Sequence, residues 1–195
     1  MSYHFFPMIA RMRYINRWGL MRNTDPENIQ EHSHMVAVLA HALAVIHNEK
    51  FGGCVDPGAV TAAALYHDAS EILTGDMPTP VKYKTEPLRR AYKALERDAA
   101  AQLATLAPHP ARRALAGYLT GDVLTEKERQ LLKAADRLSA LIKCIEEENT
   151  GNHEFTGAKA QQTAALHAMQ CPEAEYFLEH MLPCYAWTLD ELSRE

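Results

Sequence analysis

His67 and Asp68 stand side by side at the end of the apolar run Ala62-Ala63-Ala64-Leu65-Tyr66, and Glu71 follows one helical turn later. Burying three such groups without partners is costly, so the stretch calls for a partner, and a metal cation is one. Taken alone the pair is weak evidence, because adjacent His and Asp arise by chance on many helix surfaces. His32 alone reads as a satisfied core histidine, and Asp136 alone as a capping or salt-bridging acid. As a set the four are more informative. Two imidazoles and two carboxylates drawn from three helices suit one divalent cation of intermediate hardness, such as Mn²⁺, Co²⁺, Fe²⁺ or Zn²⁺, and offset its charge. The other histidines, His4, His34, His41, His47, His109, His153, His167 and His180, lack such company and read as surface or packing residues.

These groups need rigid elements, and the apolar spacing supplies helices nearly everywhere, with no convincing period-two stretch. An all-α fold is expected. A first helix is predicted over Phe6 to Ile15. A polar connection, Arg22 to Pro26, leads to Asn28, which with Glu31 forms a capping box for a second helix ending before Gly52-Gly53. Its inward stripe is His32, Val36, Leu39, Leu43 and Ile46. Asp56-Pro57 opens a third helix that carries Val60, Ala64, His67, Asp68 and Glu71 as far as Gly75. Two prolines make Gly75 to Pro80 a stiff loop. A fourth helix covers Leu88 to Leu106, with Tyr92, Leu95, Ala99, Leu103 and Leu106 facing inward, and a short one spans Ala111 to Leu119. Thr125 and Glu128 cap a long helix through Asn149, on whose apolar edge Asp136 sits beside Leu132. Helical spacing resumes around Lys159 to Met169 and Ala174 to Leu182, interrupted by Pro172 and Pro183.

At 195 residues, 47% of them hydrophobic, the chain fits a single ordered domain spanning 1–195. A net charge of -5 disfavours a broad surface for a nucleic-acid polymer, although local basic residues could bind a small phosphate. The four cysteines form no Cys-x-x-Cys pair, which argues against a zinc ribbon and fits reduced thiols. No apolar run approaches the roughly 18 residues of a membrane span, and the start lacks the pattern of a signal peptide, so no membrane partner and a cytoplasmic location are expected.

The series Glu31-His32-Ser33, Tyr66-His67-Asp68-Ala69-Ser70-Glu71 and Ala134-Ala135-Asp136-Arg137-Leu138 resembles the H...HD...D signature of the HD-domain phosphohydrolases. INRWGLMRN at Ile15 to Asn23, LTGDMPTPVKY at Leu73 to Tyr83 and KCIEE at Lys143 to Glu147 narrow the match. They resemble the bacterial 5′-deoxynucleotidases of that superfamily, over most of the chain up to about Phe155.

The resemblance implies a compact HD-domain bundle and one divalent cation on His32, His67, Asp68 and Asp136, with His32 and Asp136 also facing substrate. It implies hydrolysis of 2′-deoxyribonucleoside 5′-monophosphates. Glu71 would orient or deprotonate the attacking water, or else act only by fixing His67. Arg17 would bind and orient the phosphate, since its planar fork of donors matches phosphate oxygens. Trp18, a core residue by periodicity, would become a wall of the sugar site. Asp76 and Thr79 would contact the deoxyribose or merely supply turn chemistry, and Met77 and Pro78 complete or shape the same loop. A broader nucleotide phosphatase or phosphodiesterase and a non-catalytic nucleotide sensor are the alternatives. The family also implies a homodimer, to which apolar residues near Trp187 could contribute.

Overall fold

The computed structural model describes residues 2–194. Among them the elements are helical: α1 (Phe5–Ile9), a 3₁₀ turn (Ala10–Tyr14), α2 (Ile29–Phe51), α3 (Pro57–Tyr66), α4 (Glu71–Thr74), α5 (Thr79–Lys82), α6 (Glu86–Thr105), α7 (Arg112–Thr120), α8 (Glu126–Asn149), α9 (Thr156–Ala168), α10 (Pro172–His180) and α11 (Leu189–Leu192). No helix is long and apolar enough to cross a membrane among the described residues. The four cysteines are free.

Capping chemistry explains where the long helices start. Asn28 Oδ1 accepts from the backbone N–H groups of Gln30 and Glu31, while the Glu31 carboxylate accepts from the Asn28 N–H, closing the expected box. Gly52 ends α2 at φ +66, in the left-handed region where a side chain would be strained. Asp56 caps α3 and Thr125 caps α8. Glu128 ties the two starts together, because it completes the α8 box and also accepts the Asp56 N–H at 2.9 Å.

Two apolar clusters form the interior. The larger joins α2 (Val36, Leu39, Leu43), α3 (Val60, Ala63, Ala64), α8 (Leu131, Ala135, Leu138), α9 (Leu166) and α10 (Ala174, Phe177). The smaller joins Phe5, Met12, Ile29, Ala69, Leu103 and Leu119. His32 lies on α2 between Ile29 of the smaller cluster and Val36 of the larger. His67 and Asp68 lie between Ala64 of the larger and Ala69 of the smaller. His32, His67 and Asp68 therefore sit on the seam where the two clusters meet, clamped by apolar packing on either side, while Asp136 reaches them from the larger cluster's side on α8.

Several boundaries differ from expectation. The first helix tightens to 3₁₀ at Ala10 and stops at Tyr14, because Ile15 must be extended for its carbonyl to accept the Ile29 N–H at 2.9 Å. The third helix breaks at Tyr66. From His67 the chain turns with three-residue spacing, Ala69 N–H to Tyr66 at 3.0 Å and Glu71 N–H to Asp68 at 3.0 Å, before α4 resumes. Pro80 lies within α5 rather than in a loop, as the first helical turn permits. Leu95, expected inward, is 50% exposed; the buried residues of α6 are Tyr92, Ala99, Ala100, Leu103 and Ala104. Pro172 opens α10 instead of interrupting a helix, and Pro183 sits in a 3₁₀ turn, Leu182–Ala186.

Candidate active site

The break after Tyr66 creates the central geometry. Adjacent residues of a continuous α-helix do not face one another, yet His67 Nε2 and Asp68 Oδ2 lie 3.1 Å apart. His67 Nδ1 is 2.8 Å from the Ala64 carbonyl, which can only accept, so Nδ1 carries the proton in the neutral ring and Nε2 keeps its lone pair. This Nε2 is buried, and its polar neighbour on this side is the Asp68 carboxylate at 3.1 Å. His32 is wholly buried. Its Nδ1 lies 3.1 Å from Ser139 Oγ on α8, and its Nε2 lies 3.2 Å from Asp136 Oδ1 and 3.6 Å from Asp68 Oδ2.

Ligating atoms of His32, His67 and Asp68 all fall within 4.8 Å of one another. Atoms each about 2 Å from one ion span up to about 4 Å, so this trio is close to a ready-made donor set. Asp136 joins it through His32 and is paired with Lys133 Nζ at 2.7 Å. Burial raises the pKa values of the Asp68 and Asp136 carboxyls, but both are held well below the usual range, Asp68 chiefly by His67 and Asp136 chiefly by Lys133 and His32. Both are therefore charged and available to a cation.

Glu71 behaves oppositely. It is 6% exposed, its Oε2 is buried without a partner, and burial followed by the charges of Asp68 and Asp76 pushes its carboxyl far above the usual range. A positive charge added beside Asp68 would offset the Asp68 part of that push and favour the ionised carboxylate.

Arg17 and Trp18 are set by a short antiparallel pairing. Asn16 bridges Asn28, and the Arg17 N–H donates to the Glu27 carbonyl at 2.9 Å. Glu27 Oε2 then accepts from Arg17 Nη1 at 2.7 Å and from Trp18 Nε1 at 2.9 Å. Trp18 sits at φ +61, a region costly for a bulky side chain, and its ring meets the Phe155 ring edge-on at 5.3 Å.

A cavity of about 220 Å³ opens here, lined by Arg17, Trp18, Asp76, Pro78, Thr79 and Asp136 together with Lys133, Tyr83, Arg137, Gln161 and Gln162. A second, of about 320 Å³, is lined by His67, Asp68, Tyr118, Arg129, Lys133 and Asp136. Lys133 and Asp136 line both. Met77 is half-buried and lines neither cavity, and nor does His32.

A family model described as 5′-deoxynucleotidase YfbR-like matches residues 4–185. The chain belongs to this family. It is 45% identical over 190 residues to a 5′-deoxynucleotidase of Vibrio parahaemolyticus, covering 97% of this chain and 98% of that one. To the Escherichia coli 5′-deoxynucleotidase YfbR it is 45% identical over 192 residues, 98% of this chain and 96% of that one. The fold is that of the HD-domain phosphohydrolase from Listeria innocua, with a TM-score of 0.81 at 24% identity over 93% of this chain and 88% of that one. The cyanophage S-2L HD phosphohydrolase DatZ, solved bound to dA and one catalytic Zn²⁺ ion, overlays with a TM-score of 0.66 at 20% identity over 94% of this chain and 99% of that one.

For this YfbR-like chain the sequence missed Glu27, the residue that joins Arg17, Trp18 and His32 Nδ1, the last at 3.7 Å. An isolated Glu in a polar connection carries no pattern, and only its position opposite Arg17 in the Asn16–Asn28 pairing betrays it. Ser139 and Lys133 were missed too. Each lies about one helical turn from Asp136 on α8, the one local signal available. His47 is more than a packing residue, because its Nδ1 lies 2.6 Å from the buried Glu173.

Proposed function

We propose that this chain hydrolyses 2′-deoxyribonucleoside 5′-monophosphates to the deoxynucleoside and inorganic phosphate, with one divalent cation held by His32, His67, Asp68 and Asp136. The carrying observation is the buried His67 Nε2 beside the charged Asp68, within a chain of the YfbR-like family. A bound Co²⁺, Mn²⁺, Fe²⁺ or Zn²⁺ would polarise a phosphate oxygen and lower the pKa of a water.

The protein's own groups supply the rest. Arg17 keeps one nitrogen on Glu27 and offers the other N–H groups of its fork to the substrate phosphate. With a cation beside Asp68 favouring its ionised form, Glu71 would accept a proton from the attacking water as the water oxygen bonds to phosphorus, and would pass that proton to the 5′-oxygen as the P–O5′ bond breaks and the alcohol leaves. Trp18 and Asp76 flank the sugar, with Thr79 and Pro78 completing that wall of the smaller cavity. A 2′-hydroxyl against the indole face would go unsatisfied, at a cost of about 1–3 kcal/mol, so deoxyribose is favoured over ribose. The reading takes residues 1–195 as a single domain, places the enzyme in the cytoplasm, and makes it a homodimer. The exposed Trp187, Leu189 and Leu192 offer apolar area for an interface.

Release of inorganic phosphate from dAMP with added Mn²⁺ or Co²⁺ tests the reaction. Turnover supports the enzyme, and tight dAMP binding with no phosphate released would make the fold a sensor instead.

A further inference from the structure

The KCIEE segment of α8 lies away from the ion cluster, yet it is wired to the substrate wall. Glu147 is 1% exposed although it is charged. Its Oε1 accepts the N–H groups of Thr24 and Asp25, each at 3.1 Å, and its Oε2 accepts the Thr24 N–H at 2.9 Å and Asn152 Nδ2 at 2.7 Å. Lys143 Nζ donates both to Glu147 and to the Asp25 carbonyl. Asn152 Nδ2 also donates to the Arg22 carbonyl at 2.8 Å. These bonds fasten one end of the connection that runs back to Trp18, whose other end is pinned by the Arg17–Glu27 pairing. From the same side Phe155 packs edge-on against Trp18, and Lys143 Nζ lies 5.8 Å from the Phe155 ring centre.

A buried carboxylate with this many donors is expensive to desolvate and gains only if every bond is made. What these bonds hold is irregular chain containing a tryptophan at φ +61, a conformation that persists only when its surroundings over-determine it. The same wall would shift if the connection could relax.

Resting on the reading of Trp18 as the sugar wall, we infer that Glu147, with Asn152, is a positioning residue for Trp18 and so for discrimination between deoxyribose and ribose. It belongs neither to the ion cluster nor to the cavity lining. Its loss should therefore alter selectivity before it alters metal content.

The test uses Glu147→Gln and Asn152→Asp. The second keeps an oxygen to accept the Glu154 N–H, now 3.2 Å from Asn152 Oδ1, but turns the donor facing Glu147 into a like charge on a half-exposed side chain. In a Trp187→Phe background Trp18 is the single tryptophan. Its acrylamide quenching should rise by about twofold or more in each folded variant, and the dAMP-to-AMP ratio of kcat/KM should fall by about fivefold, mainly through KM for dAMP. Combining the two changes restores a donor facing an acceptor and should recover part of the ratio. If Asn152→Asp folds with parental quenching and a parental ratio, the inference fails, whatever Glu147→Gln does. A parent that does not prefer dAMP would overturn the sugar-wall reading, while the quenching still decides whether Glu147 and Asn152 hold Trp18.

Discussion

Asp68 is the residue on which the proposed ion site turns, because it lies within 3.6 Å of both His32 Nε2 and His67 Nε2 and its carboxyl is held below the usual range despite burial. Asp68→Ala should empty the site of metal by elemental analysis and abolish phosphate release while leaving the helical circular-dichroism spectrum in place. A variant that kept full metal content would remove Asp68 from the ligand set. The role proposed for Glu71 is different and has a different signature. Glu71→Ala should retain metal and dAMP but lose about a hundredfold or more in turnover, the scale of a positioned proton acceptor. Normal turnover with an unchanged pH profile would reduce Glu71 to a structural acid. The residues legible from a local pattern were an adjacent His-Asp and an acid one turn on, whereas Arg17 and Trp18 stood out only through the family resemblance. Glu27 and Glu147 were not legible as site residues. Their importance lies in partners brought close by chain crossings, Glu27 to Arg17 and Glu147 to Thr24.

Helices were readable where caps and stripes agree, as in α2 and α8, whose capping boxes start them at the expected residues. They were unreadable where tertiary demands override local preference. The third helix has apolar spacing throughout, but it breaks at Tyr66 so that consecutive residues can converge on one point. A second buried polar knot joins elements: Glu173 on α10 is 1% exposed and bonds His47 of α2 at 2.6 Å and Lys127 of α8 at 2.8 Å. Burial raises its pKa, yet Lys127, Cys171 and His47 bring it from 4.5 down to about 2. A depressed carboxylate pKa stabilises the fold fully above the unfolded value of 4.5 and progressively less as pH falls toward about 2. Glu173→Gln should thus cost about 2–4 kcal/mol at neutral pH, read as a lower Tm, with the gap to the parent narrowing near about pH 3. A gap independent of pH would mean that the charge of Glu173 is not what matters.

Across the whole molecule, the all-α bundle followed from periodicity, and the HD arrangement followed from the resemblance carried by three short motifs, which the structure places on α2, in the turn after α3 and on α8. What the sequence could not give was the seam between two apolar clusters, since which helix faces which is set by packing rather than by any one segment's pattern. That seam explains how a hydrophobic interior holds imidazoles and carboxylates in fixed relation while two cavities reach the same Asp136. The central claim is that this site is a metal-dependent phosphatase shaped for deoxyribose. The most direct measurement is kcat/KM for dAMP and for AMP, by phosphate release, in protein stripped of metal and reloaded with Mn²⁺ or Co²⁺. The account predicts activity only after reloading and a preference for dAMP of about tenfold to a hundredfold or more, the rate equivalent of an unsatisfied 2′-hydroxyl. Equal efficiency on the two nucleotides, or full activity without metal, would contradict it.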